Sequence, residues 1–328
     1  MIKYWVQDEG SLVKINKEEI ESSQRVWIDV RNVTQAEIKQ LQEEYNLDPD
    51  LLMDVIDPDE LSRIEPFDDY NLAIVRLPVF TPNVEPGYTT APVGAVIFPD
   101  KIITICWTGC EVLRDLSANR IKDLTLNDFP AFIIRIMARA DIMFLRYLKE
   151  INRRINSIQR ELQESIENSE LIQLLSLEKS LTYFTTSLKA NQLLLEKVRR
   201  TKILKLDEDD QEWLDDVEVD NRQAMEMADT YSTITAGTMD AFASVISNNM
   251  NMVMKKLTDI SIVLAMMSFI ASFWGMNIRL PWGEAVSWIG LICVSGLCVI
   301  STTTYLILSY MLNKKKKKLE RKRFRRKK

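Results

Sequence analysis

Residues 251–278 read NMVMKKLTDISIVLAMMSFIASFWGMNI. The stretch opens on polar and basic residues, then runs nineteen residues, Ile260 to Ile278, without a charge. At 1.5 Å per residue that run reaches about 28 Å, close to the ~30 Å hydrocarbon core of a bilayer. A second uncharged run, Ala285 to Asn313, has twenty-nine residues, or about 43 Å. A core hairpin in a soluble domain would be shorter, so two membrane spans are expected, over 259–278 and 285–313. Lys314 to Lys318 follow the second run directly, and an excess of Lys and Arg marks the cytoplasmic side of a span. Two spans then return the N-terminal body to the cytoplasm and leave only a short loop, 279–284, outside. The reading is a multi-pass protein of the cell membrane with both termini cytoplasmic. MIKYWVQDEG lacks a basic start followed by an apolar stretch, so no signal peptide is expected.

Upstream of the first run the pattern stays helical. Steps of three and four residues pick out Thr230, Thr233, Gly237, Asp240, Ser244, Ser247, Asn251, Met254, Thr258, Ser261, Ala265, Ser268, Ser272 and Gly275 on one face. Nearly all are small or polar, whereas Ile260, Val263, Leu264, Met267, Ile270, Phe273 and Trp274 occupy the other faces of the span. Hydroxyls are costly against lipid, so the stripe faces protein or water. Read alone, it fits small-residue packing between helices and a water-filled pore equally well. Asp259 beside it suits an ion pair with Lys255 or Lys256.

The expected helix, from about Asp209 to Trp274, would be about 100 Å long and needs partners, as a coiled coil or a ring of identical subunits. Before it, Phe132–Glu164 and Ser169–Leu204 repeat apolar residues at helical spacing and suit an antiparallel pair. Residues 1–125 alternate strand-like runs (Ile2–Val6, Arg25–Val30, Tyr70–Phe80, Pro92–Pro99, Lys101–Trp107) with two helices. Thr34–Tyr45 has Thr34 and Glu37 as a capping pair, and Asp48–Ile56 opens on Asp-Pro. The expected organisation is an α/β or α+β domain (1–125), a helical hairpin (126–205), a stalk helix (206–258), the spans and their loop, and a tail (314–328).

Charge is segregated. The chain carries a net charge of −5, but its last fifteen residues hold twelve Lys/Arg and one Glu, so the rest carries −16. A juxtamembrane basic tail points to anionic lipid, not nucleic acid. Two acidic clusters stand out: Asp48–Glu60, with six acids and no base, and Asp207–Asp220, with nine acids and no base. They read either as solvated surface with favourable charge at helix starts or as a cation sensor. The chain contains no histidine, which excludes every imidazole mechanism. No phosphate-cradling glycine loop or nucleophile–base pair is present, so no enzyme is expected. Cys106 and Cys110 are a candidate thiol pair, while Cys293 and Cys298 read as packing residues; four cysteines are too few for a disulfide scaffold.

Phe273-Trp274-Gly275-Met276-Asn277 sits at the outer end of the first span, followed by a short loop, a second span and a polylysine stop. That arrangement resembles the CorA family of magnesium channels. The likeness covers most of the chain, including NMVMKKLT at 251–258, DPDLLMDVIDPDE at 48–60 and RIEPFDDYNLAIVRLPVF at 63–80. It implies an α+β cytoplasmic domain (an αβα sandwich) followed by long helices and two C-terminal transmembrane helices, in a CorA-like funnel, assembled as a homopentamer in the bilayer. It also favours the pore over simple packing.

The implied function is a divalent cation channel mediating Mg²⁺ influx and gated by cytoplasmic Mg²⁺, with no organic cofactor. The alternatives are a CorA-like transporter of Co²⁺, Ni²⁺ or Zn²⁺, or a membrane-anchored coiled-coil scaffold. By likeness, Gly275, Met276 and Asn277 form the outer mouth. Asn251, Met254, Leu257, Thr258, Ser261, Ala265 and Ser268 line the pore, with Met254 and Leu257 as hydrophobic gate or packing residues. Asp54 and Asp216 fall at regulatory metal positions between subunits. The chain departs from the family in four places: Trp274 replaces the usual Tyr, the loop is short, Arg279 stands where some members carry an acid, and Ala138 stands near another expected acid. Glu284 remains as a loop carboxylate.

The topology has a direct test. With Gly283→Cys, an impermeant thiol reagent added outside intact cells should label the protein; with Gly10→Cys it should not. Labelling at position 10 would overturn the two-span reading.

Overall fold

The computed structural model describes residues 2–21, 24–82, 84–121, 124–164, 168–201, 203–274 and 295–305, with single positions 292, 307, 311 and 314. The chain divides into two compact units, Met1–Phe242 and Ala243–Lys328.

The first unit is built on a sheet. Among the described residues its strands are β1 (Ile2–Asp8), β2 (Ser11–Ile15), β3 (Val26–Arg31), β4 (Arg63–Pro66), β5 (Asn71–Phe80), β6 (Tyr88–Ile97) and β7 (Lys101–Cys106). Their order is β2-β1-β3-β7-β6-β5-β4. β3 and β7 pair in parallel, Val26 opposite Lys101, while the other neighbours run antiparallel. Glu9 and Gly10 both have positive φ (46° and 82°) and join β1 to β2, as the twist of a two-residue hairpin turn requires.

Side-chain alternation splits the apolar residues between the two faces. Ile103 and Ile105 of β7 join one core with Val26, Ile28 and Val30. Ile102 and Cys106 join the other with Trp27, Ala95 and Val93. The first core is closed by α1 (Gln35–Tyr45) and α2 (Pro49–Ile56), through Leu41, Leu51, Leu52 and Val55. The second is closed by α3 (Glu111–Ser117), α4 (Phe129–Glu164), α5 (Asn168–Arg200) and the first part of α6 (Glu208–Trp274). The result is an αβα sandwich.

The helix starts follow local chemistry. Thr34 caps α1: its Oγ1 accepts from the Glu37 N–H (3.3 Å), and Glu37 Oε2 accepts from the Thr34 N–H (3.0 Å). Asp48 caps α2 ahead of Pro49, and Pro130 sits in the first turn of α4, where its missing N–H costs nothing. Two strands and a helix absent from the sequence reading appear here: β2, β4 and α3.

α6 runs 67 residues. Its first half lays Leu214, Val217, Asn221, Ala224 and Ala228 against the core at three- and four-residue spacing. Asn221 Nδ2 donates to Leu188 O and Gln192 Oε1 of α5, both at 3.1 Å. From Ala243 to Ser272 no side chain is buried. Among the described residues no helix is long and apolar enough to cross a membrane. The first uncharged run is helical up to Trp274, and residues 275–278 lie outside the described residues, as does much of 285–313; 295–305 is helical.

α2 approaches the sheet closely because Gly94 of β6 has no side chain. A Cβ there would lie 2.4 Å from Val55 Cγ2 and 2.8 Å from Val55 Cγ1. Gly94→Ala should therefore destabilise the purified protein by about 1–3 kcal/mol in thermal or urea unfolding. Adding Val55→Ala should cost less than the two single changes together; simple additivity would show that the two positions do not press on each other.

Candidate functional site

The residues read as pore-lining all lie on the second half of α6. At 100° per residue, Asn251, Met254, Leu257, Thr258, Ser261, Ala265 and Ser268 fall within an arc of about 120° over roughly 25 Å of helix. Every one is exposed. Two of the hydroxyls are already engaged as donors: Thr258 Oγ1 donates to Met254 O (2.8 Å) and Ser261 Oγ to Leu257 O (2.9 Å). With their protons committed to the helix, the outward oxygen lone pairs remain as acceptors. Large apolar side chains on this half of α6 are exposed as well, Ile260 and Leu264 both to 58%. Gly275, Met276 and Asn277 lie outside the described residues.

Asp259, at the edge of the stripe, accepts a hydrogen bond from Tyr305 Oη at 2.7 Å on its Oδ1. The contact spans 46 positions of sequence, so helical spacing, which suggested only Lys255 or Lys256, offers no route to it.

Asp54 and Asp216 occupy different settings within the chain. Asp54 rides on α2 next to Val55, so the docking of Val55 at Gly94 fixes its position at the rim of the sheet. Its Oδ2 accepts from Arg63 Nη2 at 2.6 Å, and Arg63 also pairs with Glu60 and, at 3.1 Å, with Glu65. The segment between α2 and β4 is held from below by the buried Arg76. Arg76 donates to Pro58 O (3.0 Å), Glu60 O, Thr90 Oγ1 (2.9 Å) and Ser187 Oγ (2.8 Å). Asp216 is exposed on α6. Its neighbours Asp215 and Glu218 pair with Arg199 of α5, Glu218 at 3.0 Å. The cluster that has no base in sequence therefore has one in space. Ala138 is half-buried against the α4 core.

Cys106 and Cys110 are both buried. Burial pushes the Cys110 thiol up to about 11 and the Cys106 thiol higher still, with Cys110 adding to the shift at Cys106. At neutral pH both stay protonated, which suits packing and not nucleophilic attack.

Proteins of known name share this fold. The chain is 27% identical over 287 residues to the cobalt/magnesium transport protein CorA of Methanocaldococcus jannaschii, covering 83% of this chain and 86% of that protein. It is 23% identical over 299 residues to the protein of the same name from Thermotoga maritima, covering 87% and 83%. The complete structure of the CorA magnesium transporter from M. jannaschii superposes with a TM-score of 0.76 at 22% identity, over 94% of this chain and 96% of that one. Residues 22–315 match the family model described as CorA-like Mg²⁺ transporter protein, and the chain belongs to that family.

Proposed function

We propose that this chain is one subunit of a homopentameric channel that admits Mg²⁺ into the cytoplasm across the cell membrane. The observation that carries the reading is the stripe of small and oxygen-bearing residues on α6, exposed on its own chain. At Gly237, within that stripe, an added Cβ would meet nothing within 4 Å, so the chain's own packing does not call for its small size. Identical faces from several copies, turned inward, would enclose a polar lumen. Ile260, Val263, Leu264, Met267 and Ile270, on the other faces, suit neighbouring subunits and lipid. The spans 259–278 and 285–313, the external loop 279–284, cytoplasmic termini and a tail against anionic lipid heads belong to the same reading.

The chemistry suits a hydrated ion. Mg²⁺ releases its waters reluctantly. Amide and hydroxyl oxygens such as Asn251, Thr258, Ser261 and Asn277 can accept hydrogen bonds from those waters without displacing them. A ring of carboxylates would hold the ion more tightly, and conduction needs sites it can leave. Met254 and Leu257 supply the apolar constriction that closes by dewetting. The relatives' names pair cobalt with magnesium, which favours Co²⁺ as the second ion over Ni²⁺ or Zn²⁺.

Asp54 of one subunit and Asp216 of the next would hold Mg²⁺ when internal Mg²⁺ is high, removing like-charge repulsion and favouring the closed ring. The ion would compete with Arg63 for Asp54.

Purified protein in liposomes tests transport. Asn277→Ala should abolish Mg²⁺ influx while the oligomer still assembles, with Co²⁺ and Zn²⁺ measured beside it; wild-type flux would remove Asn277 from the mouth.

Regulation is read from stability. A ligand bound only by the assembled state adds about 2.7 kcal/mol at a hundredfold excess over Kd. Wild type should thus gain thermal stability with Mg²⁺, and Asp54→Asn with Asp216→Asn should lose most of that gain and conduct with less inhibition by internal Mg²⁺. An unchanged shift would make these two aspartates ordinary surface charge.

A further inference from the structure

Three carboxylates meet where α4 and α6 begin, away from the stripe. Asp128 precedes α4, and Asp207 and Asp210 come from the start of α6; a carboxylate oxygen of each lies within 4.8 Å of the other two. Two of them have local work. Asp128 Oδ1 accepts from the Ala131 N–H at 3.1 Å, and Asp207 Oδ1 accepts from the Asp210 N–H at 2.8 Å, so each caps its helix with one oxygen.

Asp210 has no such role. It is 7% exposed, and among the described residues its buried Oδ2 has no hydrogen-bond partner. Leaving a buried carboxylate oxygen unpaired is expensive. Burial, then the neighbouring Asp128 and Asp207, holds its carboxyl above the usual range. Arg135 of α4, whose guanidinium lies 3.4 Å from the Trp213 ring centroid, offsets part of that shift at Asp210. Arg25, over the Phe129 ring and donating to Asn127 O, stands beside Asp128, so two guanidiniums face the three acids.

We propose that Asp128, Asp207 and Asp210 together bind a divalent cation within a single subunit, where α4 and α6 begin. One oxygen on each carboxylate is left over from capping or is unpartnered, and a hard cation takes oxygen ligands with water completing its shell. The bound ion balances the charge on Asp210 and ties the start of the long helix to the start of α4. This site shares no residue with the Asp54–Asp216 pair and does not depend on the transport reading.

Mn²⁺, which favours the same oxygen ligands and is paramagnetic, serves as the probe. Full-length protein in detergent micelles would carry Asp54→Asn and Asp216→Asn, and free Mn²⁺ would be counted by electron paramagnetic resonance. Adding Asp210→Asn should remove one bound Mn²⁺ per chain. Asp128→Asn keeps a capping oxygen but loses a charge, and should weaken that Mn²⁺ by roughly tenfold; it stands as the test if Asp210→Asn fails to fold. Equal Mn²⁺ binding, in number and affinity, in parent and variants would overturn the site and leave Asp210 neutralised by a proton.

Discussion

A long helix that its own chain cannot cover is the constraint on which the rest of this protein depends. Up to Ala228 α6 has a conventional buried ladder against the core of the first unit. From Ala243 to Ser272 it has none, and large side chains such as Met252, Val253, Leu257 and Leu264 stand exposed among serines and threonines. Exposed apolar surface on that scale marks a face meant for other surfaces. In the proposed assembly the apolar faces take lipid and neighbouring copies while the polar stripe takes water, which reconciles hydroxyls with a membrane setting.

The first unit turns ordinary packing into positioned charge. Val55 seats over Gly94, so α2 lies close to β6 and Asp54 comes to the rim beside Arg63. Arg76 gathers the carbonyls of Pro58 and Glu60 and ties them to Thr90 of β6 and Ser187 of α5. The acids of Asp48–Glu60 and Asp207–Asp220 are therefore of several kinds: helix caps such as Asp48, ion-paired groups such as Asp54 and the buried Glu218, and a buried carboxylate in none of the ion pairs described, Asp210. Such acids respond differently to a cation, because a paired carboxylate must give up its partner, whereas an unpaired buried one gains a counter-charge.

Much of the architecture was legible in the sequence because it rests on local periodicity and capping. The Thr34–Glu37 box, the Asp48 cap ahead of Pro49, the β-branched runs of β5 and β7 and the helical repeats of α4, α5 and α6 all follow from neighbours a few residues apart. β2 and β4 were not legible: Ser11–Ile15 and Arg63–Pro66 are short, with half-exposed and charged residues, and they become strands only by pairing with β1 and β5. α3 is seven residues long, too few for a repeat, and its place comes from burying Val112, Leu113 and Leu116 in the core.

The sequence by itself determined family membership, the uncharged runs, the segregation of acidic body from basic tail, and the stripe that α6 presents, because each is a property of order along the chain. Only the tertiary structure decided which acids have partners. Arg63 reaches Asp54, Arg199 reaches Asp215 and Glu218, Tyr305 reaches Asp259, and Asp128 joins Asp207 and Asp210 across about eighty positions of sequence. Electrostatic interaction depends on distance and burial in space, and neither can be read from spacing once a contact lies beyond one helical turn.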